Sequence, residues 1–237
     1  MNNIINFETN KELKSFLDSK RLSYISEGSE GKCFASRTDN DAYKVFFDDG
    51  AMLLEDEYDP KKIITTDEIE LECFAFPKEI YTINGKLKAY RTKKIDNNLF
   101  KYDEQPNIDL GEQSNLYAID FKKLEKAYLN LKKDIIILSK AGIRIYDLCF
   151  NLTFDGETII AIDTCGYTKV DYDVLNDNLS SLNYAIENLF SLWLPYEDIC
   201  FDETCDDVCQ YIRNIGKQVK KANQKTYSKR RTNSLVQ

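Results

Sequence analysis

Apolar residues recur at two spacings along the chain, and each change of spacing marks a change of element. After the capping candidates Thr9 and Asn10, Leu13, Phe16 and Leu17 lie at helical spacing, which predicts a short amphipathic helix over Lys11–Lys20. The period then drops to two. Leu22–Ser26, Cys33–Arg37 and Ala42–Phe47 are β-prone runs broken by Gly28-Ser29-Glu30-Gly31 and by Asp39-Asn40-Asp41, the pattern of an antiparallel meander. Lys78–Thr82 and Leu87–Thr92 flank Asn84-Gly85, a strong hairpin signal because both turn residues accept positive φ. Helical spacing returns at Tyr117, Phe121, Leu124, Tyr128, Leu131 and Ile135, which predicts a long buried helix over Tyr117–Ser139; the polar, turn-rich Asp96–Gln113 before it reads as a linker. Asn151–Phe154 and Thr158–Ile162 are β-like runs about Asp155-Gly156, predicting a second hairpin with a type I′ turn. Asn178–Leu194 and Cys205–Lys221 complete the pattern as two helices, the first with a core stripe of Leu182, Ile186, Leu189, Leu192 and Trp193.

Candidate chemistry gathers around the second hairpin. Asn151 stands at its entrance, Asp163 at its exit and Asp147 four residues upstream, a set of oxygen donors suited to a hard divalent cation. Asp147-Leu148-x-x-Asn151, a hairpin, then Ile162-Asp163-Thr164-x-Gly166 resembles the catalytic loop and metal-binding turn of the protein kinase-like superfamily, where H-R-D-L-x-x-x-N is followed by D-F-G. The resemblance implies that Asp147 is the catalytic-loop aspartate and that Asn151 and Asp163 hold magnesium on the nucleotide phosphates. Ile145 and Tyr146 replace the usual His and Arg, the Asp-to-Asn spacing is one residue short, and Thr164-Cys165-Gly166 replaces Phe-Gly. Counting back from Asn151 at the family spacing reaches Tyr146 instead; the retained Asp-Leu favours Asp147.

The earlier turns extend the resemblance to about residues 22–170. Ser26-x-Gly28-Ser29-Glu30-Gly31-x-Cys33 is similar to the kinase glycine-rich loop, with Gly28, Ser29, Glu30 and Gly31 covering the phosphates of ATP. Glycines serve there because backbone N–H groups can approach an anion without a Cβ in the way. Ala42-Tyr43-Lys44-Val45-Phe46 resembles the strand V-A-I-K element, which implies that Lys44 pairs with the nucleotide phosphates and takes part in catalysis. Such a lysine requires a glutamate on the next helix. Lys61–Phe74 supplies Glu68, or Glu70 nearly as well, and Arg91–Ile95 would form the hinge that reads the adenine edge.

Composition narrows the alternatives. The 237 residues are 43% apolar and 30% charged, an ordinary globular balance with ample chain for a core. No apolar run reaches membrane-span length and the N-terminus lacks signal-peptide character, so a cytoplasmic protein is expected. Seven cysteines fit a reducing compartment, and the set Cys200, Cys205, Cys209 matches no common zinc spacing. With no histidine in the chain, Ser-His and Cys-His catalysis are excluded. The net charge is −8 although residues 214–237 hold seven cations and no acid, so the body is more acidic still. Nucleic acid is therefore an improbable partner except through that basic segment, which reads as a solvated, flexible tail.

The expected architecture is α+β and two-lobed, of the protein kinase-like kind. Residues 1–95 would form an antiparallel β-sheet lobe with one main helix, 96–213 a reduced, mainly helical lobe carrying the catalytic loop, and 214–237 the tail. The expected activity is ATP- and magnesium-dependent phosphoryl transfer, with Ser/Thr protein kinase first. A pseudokinase scaffold and a small-molecule kinase of the aminoglycoside or choline type are the alternatives, and the acceptor, protein or small molecule, is left open.

Overall fold

The computed structural model describes residues 3–47, 59–96, 98–100, 119–149, 151–193 and 208–233, with 190–193 and 222–233 as backbone alone. The fold is α+β. Its first part is a six-stranded sheet in the order β1-β5-β6-β4-β3-β2, formed by β1 (Ile4–Phe7), β2 (Ser23–Glu27), β3 (Gly31–Ala35), β4 (Asp41–Phe46), β5 (Glu79–Ile83) and β6 (Lys86–Lys93). All neighbours are antiparallel except β1, which runs parallel to β5. The β5–β6 turn has Asn84 at φ 52° and Gly85 at φ 75°, the positive values its dipeptide predicted.

Strand alternation divides the sheet between two cores. On one face Tyr43, Tyr81, Ile83 and Ala89 pack beneath Leu13, Phe16 and Leu17 of helix α1 (Asn10–Ser19). That helix starts at Thr9, whose hydroxyl accepts from the Glu12 N–H at 3.3 Å, while the Glu12 carboxylate accepts from the Glu8 N–H at 2.9 Å. The opposite face presents Phe46, Ile80, Leu87 and Tyr90 to Ile63 and Cys165. Lys44 lies between Tyr43 and Val45 in sequence and so belongs to this second face.

The second part is mainly helical. Helix α2 (Phe121–Lys140) is capped by Asp120 and buries Leu124, Leu131, Ile135 and Leu138 against Leu182 and Ile186 of α3 (Leu175–Trp193) and Ile212 and Ile215 of α4 (Val208–Asn233). Between α2 and α3 lie β7 (Ile143–Arg144), a hairpin of β8 (Leu152–Phe154) and β9 (Ile159–Ala161), a 3₁₀ turn at Thr164–Gly166, and β10 (Thr168–Lys169), which pairs with β7. No helix of the described residues is long and apolar enough to cross a membrane.

Four expectations change. The segment Lys61–Phe74 is a series of turns, not a helix. Ile63, Ile64 and Thr65 are buried consecutively, as are Cys73–Pro77, and a surface helix cannot bury every side of itself. Cys73–Ala75 instead runs extended along β9, with the Ala75 N–H donating to the Ala161 carbonyl at 2.9 Å and the Ala161 N–H to the Cys73 carbonyl at 2.8 Å. At Asp155-Gly156 the hairpin forms without a type I′ turn. Only Gly156 has positive φ, and the Asp155 carboxylate accepts from the Glu157 and Thr158 N–H groups at 2.8 and 2.7 Å, closing a wider loop.

The third change is at Arg91–Ile95, where Arg91–Lys93 belong to β6 and pair with β4, so their backbone is engaged in the sheet. Lastly, α4 continues to Asn233, so the segment expected to be a flexible tail is helical to that point. Tyr117, most of Asp96–Gln113, Cys200 and Cys205, and the side chains of Leu192 and Trp193 lie outside what is described.

Asn178 ties these pieces together. Fully buried on α3, it donates through Nδ2 to Ser139 Oγ and to the Ile143 carbonyl, both at 2.9 Å, and accepts the Ile145 N–H at 2.9 Å. Replacing it by leucine would remove the side-chain partner of the Ile143 carbonyl and the Ile145 N–H in the core and leave Ser139 Oγ only its bond to the Ile135 carbonyl. Asn178→Leu is expected to lower unfolding free energy by about 3 kcal/mol in urea titration; a loss below about 1 kcal/mol would mean that the clamp is dispensable.

Candidate functional site

The site begins with a cation on a buried strand. Lys44 Nζ donates to both oxygens of Asp163, at 2.6 and 2.7 Å, and to Glu30 Oε2 at 2.9 Å, with the Phe46 ring centroid 5.0 Å away. An ammonium has three donors, and all three reach carboxylate oxygens. Burial opposes the charge of Lys44, but Asp163 and Glu30 outweigh it and raise the pKa above its ordinary value.

Each partner reaches Lys44 from a different element. Glu30 sits in the β2–β3 turn, closed by the Gly28 N–H donating to the Gly31 carbonyl at 2.9 Å, while the Glu30 carbonyl accepts from the Phe47 N–H at 2.9 Å. Gly31 is required by space, since a Cβ there would lie 2.3 Å from the Val45 carbonyl oxygen; a Cβ at Gly28 would meet nothing within 4 Å. Ser29 is exposed beside it. Asp163 follows β9 in a left-handed conformation, φ 57° and ψ 49°, and also accepts from the Tyr90 hydroxyl at 3.2 Å. Tyr90 is the cross-strand neighbour of Lys44, so sheet register sets this contact. Burial, with Cys165 and Asp163 nearby, raises the Tyr90 phenol pKa well above its ordinary value and keeps it a neutral donor.

The second half of the site lies at the open end of the β8–β9 hairpin. The Ile162 N–H donates to the Asn151 carbonyl at 2.8 Å, so Asn151 and Asp163 stand at the two chain ends of one rigid ladder. Asn151 Nδ2 donates back to the Asp147 carbonyl at 2.8 Å and to its carboxylate at 3.2 Å. Asp147 is left-handed too, φ 48°. Partial burial and the neighbouring Asp163 raise its pKa above the ordinary carboxylate value against the lowering effect of Asn151. Tyr146, the alternative for the catalytic position, is 40% exposed, with the Arg144 guanidinium stacked over its ring at 4.9 Å.

Thus Lys44, Glu30 and Asp163 form one contact group, Asp147 and Asn151 a second beside it, and Gly28–Gly31 the turn that carries Glu30. Glu68 lies elsewhere: its carboxylate accepts from Lys169 Nζ at 2.9 Å, because the segment that bears it is not a helix running past β4. Glu70 is exposed. Tyr90 and Asn178 carry no motif signal, although period-two alternation along β6 would have put Tyr90 on the Lys44 face.

The groups accepting hydrogen bonds from Lys44 and Asn151 are carboxylate and carbonyl oxygens, donors suited to a hard cation, although the thiols of Cys33 and Cys165 lie near. Among the described residues no group of three or more carboxylates, thiols or imidazoles is arranged to hold a metal by itself. A magnesium ion held by Asp163 and Asn151 would complete its shell with water or with a ligand's oxygens. No model of a known protein family matches the sequence, and no curated protein matches it.

Two predictions follow from this geometry. A carboxylate whose folded pKa is raised contributes stability fully present below its unfolded pKa and lost as pH rises through the folded value. Ionised Asp147 therefore opposes folding at neutral pH, and Asp147→Asn is expected to melt higher than wild type at pH 7, with the gain shrinking as pH falls towards about 4. A lower melting temperature for the variant at pH 7 would contradict the electrostatic picture. At the turn, Gly31→Ala is expected to cost at least about 2 kcal/mol and Gly28→Ala less than about 1 kcal/mol, read by chemical denaturation; equal losses would rule out the close approach as the reason for glycine.

Proposed function

We propose that this chain is an ATP- and magnesium-dependent phosphotransferase of a two-lobed, protein kinase-like kind, with a Ser/Thr hydroxyl of a protein as the first acceptor to test. The observation that carries the reading is the Lys44–Asp163 contact at 2.6 Å, between residues 119 positions apart that the two motifs pair independently of any contact. The Asn151–Asp163 ladder end and the Asn151–Asp147 contact support it further.

Under this reading Lys44 would exchange its bonds to Asp163 for phosphate oxygens, and Asp163 and Asn151 would hold the cation. Magnesium, when bound, neutralises charge on the phosphates. Asp147 accepts the acceptor hydroxyl's proton as its oxygen bonds to the γ-phosphorus and the bond to the β-phosphate oxygen breaks, releasing ADP. A carboxylate with an elevated pKa is better matched to that role than an ordinary one. A general base at this position contributes roughly 10²–10⁴ in rate.

One observation favours a second reading, a nucleotide-independent pseudokinase scaffold. All three donors of Lys44 are committed to protein carboxylates, which leaves none for phosphate unless Asp163 or Glu30 is displaced.

Thermal melting with and without ATP and magnesium, on wild type and Asp163→Ala, separates the two. Binding at 100 times Kd adds about 2.7 kcal/mol, a shift of several degrees that the variant should lose. Radiolabelled-ATP autophosphorylation should then fall at least about 100-fold in Asp147→Ala. No shift at millimolar ATP would leave the scaffold reading.

A further inference from the structure

We propose that Glu30, on the turn between β2 and β3, is the positioning residue that seats Lys44 for a phosphate ligand, taking the place that the motif resemblance gives to a helix glutamate. The proposal rests on the phosphotransferase reading above and concerns which carboxylate serves it.

Three observations carry it. The first is contact: Glu30 Oε2 lies 2.9 Å from Lys44 Nζ, and its side chain is largely buried. The second is the fate of the expected partner, since Glu68 is bound to Lys169 and residues 61–74 form turns. The third is rigidity at the Glu30 backbone. Its carbonyl is tied to Phe47, the turn is closed between Gly28 and Gly31, and Gly31 is pressed against the Val45 carbonyl. The carboxylate thus projects from a turn tied through the Glu30 carbonyl and Gly31 to the strand that carries Lys44.

The chemistry gives Glu30 a role that Asp163 cannot fill. In a nucleotide complex Asp163 would be the residue to hold the cation, so Lys44 would lose that partner when it must be held in place. Glu30, bonded to the ammonium independently of Asp163, would keep one donor engaged while the others turn to phosphate. Because Glu30 belongs to the glycine turn itself, closing that turn and aligning the lysine become a single event. In a helix-borne arrangement the two would be separate, and a mobile helix could release the lysine while the turn stayed closed.

The test is calorimetric titration of ATP with magnesium into the full chain, for wild type, Glu30→Gln, Glu30→Asp, Glu68→Gln, Lys44→Met and the Glu30→Gln/Lys44→Met pair. Glu30→Gln should weaken binding about tenfold, the worth of one charge-assisted hydrogen bond. Glu30→Asp should recover part of that loss, which a merely structural role of the side chain would not predict, and Glu68→Gln should bind as wild type does. The double variant should bind no more weakly than Lys44→Met alone, because Glu30 acts through that lysine. Wild-type affinity in Glu30→Gln, a tighter complex there, or full additivity in the double variant would overturn the proposal and leave the phosphotransferase reading standing. If Glu68→Gln alone shows the tenfold loss, the helix-type partner is restored and Glu30 is displaced. Absence of ATP binding by wild type would sink the phosphotransferase reading first, and this proposal with it.

Discussion

A buried ammonium is the constraint on which the site's architecture depends. Desolvating the Lys44 charge costs several kcal/mol unless opposite charges replace the lost water, and the sheet face on which it lies is otherwise lined by Phe46, Tyr90, Ile80 and Leu87. None of these carries a charge. The compensation comes from Glu30, fourteen residues earlier, and Asp163, 119 residues later, and bringing both within 3 Å fixes how the β2–β3 turn and the segment after β9 sit on the sheet. Tyr90 adds a neutral donor to Asp163 from the adjacent strand. One cation therefore joins the glycine turn, the sheet and the hairpin more specifically than apolar packing could.

Support for the acidic side of the site is of a different kind. The β8–β9 hairpin is buried along both strands and flanked by the extended Cys73–Ala75, so the backbone around Asn151 and Asp163 is held by ladder hydrogen bonds on both sides of β9. Asn178 performs the equivalent service for the chain entering Asp147, fixing Ile143 and Ile145 from α3. Functional groups placed on rigid elements and braced by buried polar contacts keep their geometry better than groups on free loops. That is the pattern here, although Asp147 itself lies on a loop.

What could be read from the sequence was what local physics determines. The β2–β3–β4 meander, the Asn84-Gly85 hairpin, α1 with its Thr9 cap, and the apolar stripes of α2 and α3 depend on residue period and turn chemistry, and all stand within a few residues of their expected ends. The Lys44, Asp147, Asn151 and Asp163 positions were visible because their order along the chain is itself a pattern. Glu30 and Glu68 could not be ranked that way, since both are acids near glycines or apolar residues and only the path of residues 61–77 decides which one meets the lysine. That path was illegible because its buried residues fall in two consecutive runs, 63–65 and 73–77, which have neither a helical nor an alternating period. The left-handed backbone at Asp147 and Asp163 was equally silent, as aspartate tolerates it without advertising it.

Those two backbone conformations and the crowding of carboxylates point the same way. Asp147 and Asp163 each occupy a sparsely populated region, and among the described residues the carboxylates of Asp147, Asp163 and Glu30 gather about the ammonium of Lys44. Three carboxylates about one ammonium favour the approach of a further cation over that of a bare anion. Under the phosphotransferase reading a nucleotide therefore cannot enter favourably without a counter-cation, because its phosphates would add negative charge to a group already in excess of it. A divalent ion that draws Asp163 away from Lys44 removes both difficulties at once, relieving the carboxylate repulsion and freeing ammonium donors for phosphate. Each ligand then raises the affinity for the other, and by linkage the coupling is reciprocal. Under that reading the closed ion pair would make nucleotide binding depend on the metal, with Lys44 and the metal contesting Asp163.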